Sequence, residues 1–141
     1  MTVDKYGDDA GRLWHDAPTA TELRRRLELF PGIGQKKAAM AIEILARDLG
    51  QPLGELNGSD VAYDVHLRRV FLRTDLADRD DIDHIVAVAR ALNPDRPGAL
   101  DLPAWDTGRR WCRPSNPDCP ACPLRLVCPH LVKRGSGVHG I

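Results

Sequence analysis

Residues 29–37 read Leu-Phe-Pro-Gly-Ile-Gly-Gln-Lys-Lys, a pattern that predicts a helix, a tight turn and a second helix. Pro31 stops the first helix, and Gly32 and Gly34 permit positive φ and close approach of the backbone to a partner. The N–H groups at the start of the second helix point outward, so an anion such as a DNA phosphate fits there. A plain corner between two helices has the same pattern, which therefore leaves both interpretations open.

Helical patterns continue on both sides of this turn. Thr19 and Glu22 have the form of a capping box, and Asp64 is placed to cap a later helix. Helices are predicted over residues 20–30, 35–49, 65–73, 81–92 and 102–111. The helix over 35–49 is dense in Ala, Met, Ile and Leu, so we expect it to be buried on most sides. No strand pattern is found, and the sequence therefore predicts an all-α fold.

The four cysteines of the chain fall in one short stretch, Cys112-x6-Cys119-x2-Cys122-x5-Cys128, which suits four thiolates around one metal centre. Two disulfides are typical of secreted proteins, but the chain opens without the apolar segment of a signal peptide. A structural zinc site usually has two Cys-x2-Cys pairs, and only one is present. An iron–sulfur cluster accommodates wider gaps, so the spacing favours a cluster and keeps zinc as the alternative.

Charge is distributed unevenly along a chain whose formal net charge is zero. From residue 107 onward there are six Lys and Arg residues and one Asp. This basic region favours a polyanionic partner, although a solvated cationic tail has the same composition. No run of eighteen apolar residues is present, so no membrane span is expected. Reduced cysteines without a targeting segment predict a cytoplasmic protein.

Three motifs, in the same order along the chain, resemble those of the endonuclease III superfamily of DNA glycosylases. Residues 30–38, Phe-Pro-Gly-Ile-Gly-Gln-Lys-Lys-Ala, resemble its helix-hairpin-helix. Residues 63–70, Tyr-Asp-Val-His-Leu-Arg-Arg-Val, resemble the segment that carries its essential aspartate. The cysteine spacing matches the 4Fe-4S loop of that family at every gap. The resemblance implies a 4Fe-4S cluster held by Cys112, Cys119, Cys122 and Cys128.

The resemblance also implies roles for individual residues. Lys36 matches the nucleophilic lysine of the bifunctional members, which attacks C1′ of a damaged nucleotide as the neutral amine. A helix N-terminus and nearby burial both disfavour the ammonium form, whereas a simple phosphate contact is the alternative role. Asp64 matches the aspartate that stabilises the opening sugar or assists proton transfer. His66 resembles a family histidine, although a packed side chain explains it equally well. The implied DNA contacts are Gly32, Ile33, Gly34 and Lys37.

These motifs predict base-excision repair of an oxidised pyrimidine or an abasic site in double-stranded DNA. Lys36 favours this reaction over that of the related adenine-mismatch glycosylases, which lack a lysine there. The expected architecture is the helix-hairpin-helix part of a glycosylase barrel over 1–63 and an iron–sulfur helical domain over 64–141. The resemblance implies that the helices preceding the hairpin in the family, which carry the residues that replace a flipped base, are absent here. The alternatives are a non-catalytic DNA-binding iron–sulfur module, an inactive fragment, and a zinc-stabilised helical domain without a repair role.

Overall fold

The structure is a computed structural model that describes residues 5–17 and 19–135. In chain order its α-helices are α1 (Arg12–His15), α2 (Ala20–Glu28), α3 (Gln35–Glu43), α4 (Val65–Arg73), α5 (Ile82–Leu92) and α6 (Asp101–Arg110). A π-helical segment, Ile44–Asp48, continues α3, and a 3-10 turn, Pro97–Leu100, leads into α6. No strand occurs in the described residues, which confirms the predicted all-α class.

Side chains cap the helices at the positions that the sequence predicts. Thr19 Oγ1 accepts a hydrogen bond from the backbone N–H of Glu22 at 3.2 Å and starts α2. Asp64 Oδ1 accepts from two backbone N–H groups in the first turn of α4, at 3.0 and 2.8 Å. The Glu22 carboxylate accepts from Arg25 and Arg26 on the surface of α2. Each cap satisfies N–H groups that a helix leaves unpaired and stabilises it by about 1 kcal/mol.

Two apolar clusters form the interior. The first packs α1, α2, α3 and the π-helical segment together through Leu13, Ala20, Leu23, Ile42 and Leu45. The second packs α4, α5 and α6 together through Leu67, Val70, Phe71, Ile85, Ala89 and Ala104. Since burial of one large apolar side chain stabilises a fold by about 1.5–3 kcal/mol, these clusters hold the helices in place.

A buried carboxylate joins the two clusters. Asp60, only 1% exposed, accepts hydrogen bonds from Arg24 of α2 and, at 2.8 and 2.9 Å, from Arg90 of α5. A buried charge is tolerated only when such partners surround it, so loss of either arginine leaves part of the carboxylate unpaired. The junction between the clusters is therefore polar and directional.

One side of α3 is open, contrary to the expectation that this helix is buried on most sides. Ala38, Ala39 and Ile42 are buried against the rest of the protein, but Met40 and Ile44 are 41% and 42% exposed. Richness in apolar residues does not by itself fix how many sides of a helix are covered. Small alanines let the packing partner approach one side closely, and the opposite side is left to line a cavity.

Helix α6 packs directly against α4, the central helix of the second cluster. Gly108 permits this approach, because a Cβ there would lie 2.8 Å from the His66 Cβ and 2.9 Å from the His66 carbonyl oxygen. A larger side chain must therefore push the two helices apart. The contact places the end of α6, and the cysteine loop that follows it, beside α4.

Candidate functional site

The turn between α2 and α3 presents backbone N–H groups at the surface. Gly32 has a φ of +82°, where a side chain is strained, whereas Gly34 has an ordinary φ of −107°. The positive φ that both glycines permit is therefore adopted by Gly32 and not by Gly34. Ile33 is half-buried, and its N–H donates to the Phe30 carbonyl oxygen at 3.0 Å. A Cβ at either glycine would meet no atom within 4 Å, so the turn is open to a partner.

Lys36 and Lys37 lie in the first turn of α3, and both side chains are exposed. The expected burial of Lys36 is therefore wrong, while its place at the N-terminus of a helix is as predicted. Lys37 Nζ donates to the Gly32 carbonyl oxygen at 2.8 Å, so this side chain also closes the turn. No side chain in the described residues caps α3, and its first N–H groups are left for water or an anion.

Two side chains from distant parts of the chain hold the segment before Asp64. Gln35 donates to the carbonyl oxygen of Val61 at 2.7 Å and accepts from the N–H of Tyr63 at 3.1 Å. Asp101 Oδ1 accepts from the N–H of residue 62, between them, at 2.9 Å. Sequence reasoning missed both residues, because their partners lie 28 and 39 positions away and no local pattern marks them. These bonds position Asp64 through its own backbone.

A cavity of about 570 Å³, including its opening to solvent, lies beside Asp64. It is lined by α3 with its π-helical continuation, by the segment before α4 and by α6, through Met40, Glu43, Ile44, Arg47, Ala62, Asp64, Asp101, Leu102 and Trp105. Lys36 precedes Met40 by one helical turn, so the two residues share one side of α3. Asp64 is among the residues that line the cavity, whereas Lys36 is not.

Asp101 is the residue of this cavity whose titration is most clearly shifted. Burial, with smaller contributions from the carboxylates of Asp64 and Glu43, raises its pKa from 3.8 to about 6. The N–H of residue 62 and the Arg47 guanidinium act in the opposite direction. Asp101 therefore changes charge close to neutral pH, which is unusual for an aspartate.

Asp101→Asn is expected to make the protein more stable than the wild type above about pH 6. Because the folded state raises the pKa of this acid, the wild-type free energy of unfolding falls as pH rises from 3.8 to about 6. A shift of about two units corresponds to at most about 3 kcal/mol, less where solvent screens the side chain. The asparagine oxygen still accepts from the N–H of residue 62. Chemical denaturation at a series of pH values measures the effect, and a pH-independent difference between the two proteins contradicts it.

The four cysteines line a second cavity, of about 340 Å³ including its opening, between α4, the end of α6 and the loop that follows. All four are free thiols; Cys122 is buried and the other three are partly buried. The rest of the lining is Val70, Thr74, Thr107, Trp111, Leu124, Arg125 and His130. The structure therefore brings the predicted ligands to a single, mainly apolar site.

The described side chains do not form a ready-made site for a single metal ion. Within residues 5–17 and 19–135, no three His, Cys, Asp or Glu side chains lie close enough together to hold a single ion. A tetrahedral zinc site, with Zn–S distances of about 2.3 Å, needs sulfur atoms within about 4 Å of one another. Burial raises the pKa of the Cys122 thiol, so its thiolate form requires bound positive charge nearby.

Arg73, at the end of α4, fixes both ends of the cysteine loop. Its guanidinium is 1% exposed and donates to the carbonyl oxygens of Arg113 at 2.6 Å, Pro114 at 2.9 Å and Val132 at 3.2 Å. It also lies 3.5 Å from the Cys112 sulfur. A planar guanidinium can hold several acceptors at once, which a lysine ammonium cannot reproduce.

Arg69, one turn earlier, holds the last turn of α6. It donates to the carbonyl oxygens of Gly108 at 2.8 Å and Cys112 at 2.6 Å, and lies 3.0 Å from His66 Nδ1. Burial lowers the pKa of Arg69, which stays charged. His66 also meets Trp105 edge-on, with ring centroids 6.1 Å apart, so the packed alternative for this histidine is the one observed. Sequence reasoning missed both arginines as anchors of the loop.

The cations near the C-terminus lie at the surface, as predicted. Arg109 stacks its guanidinium over the Trp105 ring at 5.0 Å, and Arg113 donates to two carbonyl oxygens of its own loop. The exposed cations after residue 107 are Arg109, Arg110, Arg113, Arg125, Lys133 and Arg134. They give this end of the protein a positive surface.

The fold is that of the helical DNA glycosylases. More particularly, it is endonuclease III-like, as two solved structures show. A trapped covalent intermediate of endonuclease III with DNA, an estranged-adenine complex, is 26% identical in sequence with a TM-score of 0.67, over 95% of this chain and 55% of that chain. A non-covalent endonuclease III–DNA complex is 26% identical with a TM-score of 0.58, over 95% of this chain and 54% of that one. The predicted resemblance is confirmed.

The chain spans about half the length of these solved chains. No protein-family model and no curated protein sequence match it. None of the helices in the described part of the chain is long and apolar enough to cross a membrane.

Proposed function

We propose that this chain acts in base-excision repair, as a DNA glycosylase and lyase on an oxidised pyrimidine or an abasic site in double-stranded DNA. A fold does not determine chemistry, so the site must carry the proposal. The observation that carries it is the cavity beside Asp64 together with the open N-terminus of α3, where Lys36 lies at the surface, in a fold shared with endonuclease III–DNA complexes.

DNA binding is assigned to the hairpin and to the basic surface. The turn formed by Gly32, Ile33 and Gly34 binds a phosphate through the unpaired N–H groups at the start of α3, and Lys37 adds positive charge beside it. The exposed arginines near the C-terminus supply a second, sequence-independent contact.

Lys36 supplies the nucleophile. Its neutral amine attacks C1′, displaces the damaged base or the hydroxyl group of an abasic site, and forms a Schiff base. Loss of a C2′ proton then breaks the C3′–O bond by β-elimination. Asp64 stabilises the positive charge that develops on the sugar, and two N–H groups of α4 hold its carboxylate for this role.

A non-catalytic DNA-binding module is the second candidate. One observation favours it: Lys36 lies at the surface rather than in the cavity. Catalysis on a damaged base requires that the base be extruded and its place filled, whereas an abasic site costs less to extrude. We therefore expect activity on preformed abasic sites to exceed removal of damaged bases.

The wild-type chain is expected to bind a duplex with one abasic site and to be trapped on it by borohydride. Because binding depends on contacts to several phosphates, a rise in salt from roughly 50 to 200 mM should weaken the DNA affinity at least about tenfold. Fluorescence anisotropy measures the affinity, and denaturing electrophoresis shows the covalent product. Salt-dependent binding without trapping selects the non-catalytic module, and no binding at low salt rejects both candidates.

Cys112, Cys119, Cys122 and Cys128 are proposed to hold one 4Fe-4S cluster. The grouping of four thiols around one apolar cavity supports this, as does the Cys-x6-Cys-x2-Cys-x5-Cys spacing, which suits a cluster better than a single zinc ion. When bound, the cluster would cross-link the loop to the end of α6. The two apolar clusters support the division into a hairpin-bearing part over 1–63 and an iron–sulfur domain over 64–141.

Protein purified without oxygen is expected to be brown and to contain about four irons per chain, since four thiolates ligate such a cluster. Iron and zinc are measured together by elemental analysis, with absorbance as the second readout. A colourless protein with one tightly bound zinc contradicts the cluster and supports the zinc-stabilised alternative.

A further inference from the structure

The cavity beside Asp64 contains a second carboxylate that the proposed roles above do not use. Asp101 and Asp64 both line it, although they come from different helices. Asp64 Oδ1 accepts from two N–H groups of α4, and Asp101 Oδ1 accepts from the N–H of residue 62. Within the described residues, no hydrogen bond engages the second oxygen of either carboxylate. Each group is therefore held by one oxygen and has the other available to a bound molecule.

The surroundings of the two carboxylates differ. Asp64 forms the cap of α4, where the helix N-terminus favours a negative charge. Asp101 is partly buried, and the charged groups around it are Glu43 and Arg47 from α3 and its continuation, and Asp64 itself. One oxygen of Glu43, Oε2, pairs with Arg96 at 3.0 Å, and the other, Oε1, is buried without a hydrogen-bond partner among the described residues. A pKa of about 6 lets Asp101 both hold and release a proton near neutral pH, as a general acid and base must.

We propose that Asp101 is the acid–base group of this cavity, which protonates the hydroxyl group leaving C1′ and then accepts the proton lost from C2′. The inference rests on the proposed function, because it needs the amine of Lys36 to attack an abasic site.

The proton balance closes over the two steps. Addition of the neutral amine to the C1′ aldehyde gives a carbinolamine. The Asp101 carboxyl group donates its proton to the carbinolamine hydroxyl, which leaves as water, and an iminium and a carboxylate remain. The carboxylate then takes a proton from C2′, and the C–H electron pair forms the C1′=C2′ bond of an enamine. The enamine nitrogen returns a pair that forms the C2′=C3′ double bond as the C3′–O bond breaks with the phosphate as leaving group. Asp101 ends protonated, and water hydrolyses the remaining iminium, which releases the unsaturated aldehyde, the neutral Lys36 amine and a proton to solvent.

The test is the pH dependence of single-turnover cleavage and of borohydride trapping by the full chain, on a duplex with one abasic site. A plot of the wild-type cleavage rate against pH should change slope, that is, show a bend, near pH 6. Asp101→Asn, whose amide oxygen still accepts from the N–H of residue 62, should lower the rate about 100-fold and remove that bend. The DNA affinity should change less than about threefold, because Asp101 is placed at no phosphate contact.

Asp106→Asn is the matched control, since Asp106 lies on the same helix and pairs on the surface with Arg110 at 2.7 Å. It should keep both the rate and the profile of the wild type. A wild-type protein that is never trapped overturns the proposed function itself. Trapping with an unchanged rate and profile in Asp101→Asn overturns only the role of Asp101. Should that variant fail to fold, a wild-type profile without any bend between about pH 5 and 7 also overturns it.

Discussion

Lys36→Ala is expected to abolish borohydride trapping, with a fall of at least about 1,000-fold, because no Schiff base forms without the attacking amine. The side chain is exposed in the first turn of α3, so its loss leaves no cavity and the protein should melt as the wild type does. The yield of covalent product is measured with saturating DNA, so that weakened binding does not imitate lost chemistry.

Lys37→Ala is the matched control for charge. Lys37 carries the same charge as Lys36 and is the next residue of α3, so its side chain lies about 100° away round the helix axis. Its ammonium group donates to the Gly32 carbonyl oxygen. This variant should bind DNA more weakly and still be trapped at saturation. Asp64→Asn keeps an oxygen for the cap of α4 and should slow the reaction without loss of binding. Trapping that persists in Lys36→Ala would falsify the assignment of the nucleophile.

Arg73→Met is expected to lower the free energy of unfolding by about 3–5 kcal/mol. It should also reduce the iron content well below the about four irons per chain that are expected of the wild type. The substitution removes a buried donor from three loop carbonyl groups and leaves them without that partner. Without these hydrogen bonds the loop no longer holds the four thiols together, so the variant should lose bound iron, as we also expect of Cys122→Ser, which lacks one of the proposed ligands. Thermal unfolding and iron content are measured on the same sample.

Two variants separate the contributions of charge and shape at this position. Arg73→Lys keeps the positive charge but not the planar donor set, and we expect it to recover only a minor part of the stability. Arg113→Met removes an exposed guanidinium that bonds within its own loop, so it should change the unfolding free energy by less than about 1 kcal/mol. Equal losses in Arg73→Met and Arg113→Met would contradict the anchoring role of Arg73.

The local elements of this fold could be predicted from the sequence. Thr19 and Asp64 cap helices where the pattern indicates, because a cap depends only on the next three residues. The turn at Gly32 follows from its lack of a Cβ. The grouping of the cysteines follows from their closeness in the chain. In each case the interacting residues are close together in the chain, so a local sequence pattern predicts the interaction.

The parts that sequence reasoning missed depend on contacts between distant residues. Gln35, Asp101 and Arg73 bond to groups 26–59 residues away, and such partners leave no periodic signal. Arginine is most often a surface residue, yet Arg69 and Arg73 of α4 are both buried. The prediction that α3 is buried on most sides failed because amino-acid composition gives the number of apolar residues in a helix, but not which of them other elements cover.

The polar junction at Asp60 has a consequence for how the sequence of this protein can vary. Lys36 belongs to the half of the chain packed around the first apolar cluster and Asp64 to the half packed around the second. What sets their separation is therefore a few bonds of fixed length and angle, through Asp60 and Gln35, rather than the filling of either interior. Apolar side chains in both clusters can then be exchanged for others of similar volume while the spacing between Lys36 and Asp64 is maintained. Such tolerance is consistent with a shape shared with endonuclease III at only 26% identity.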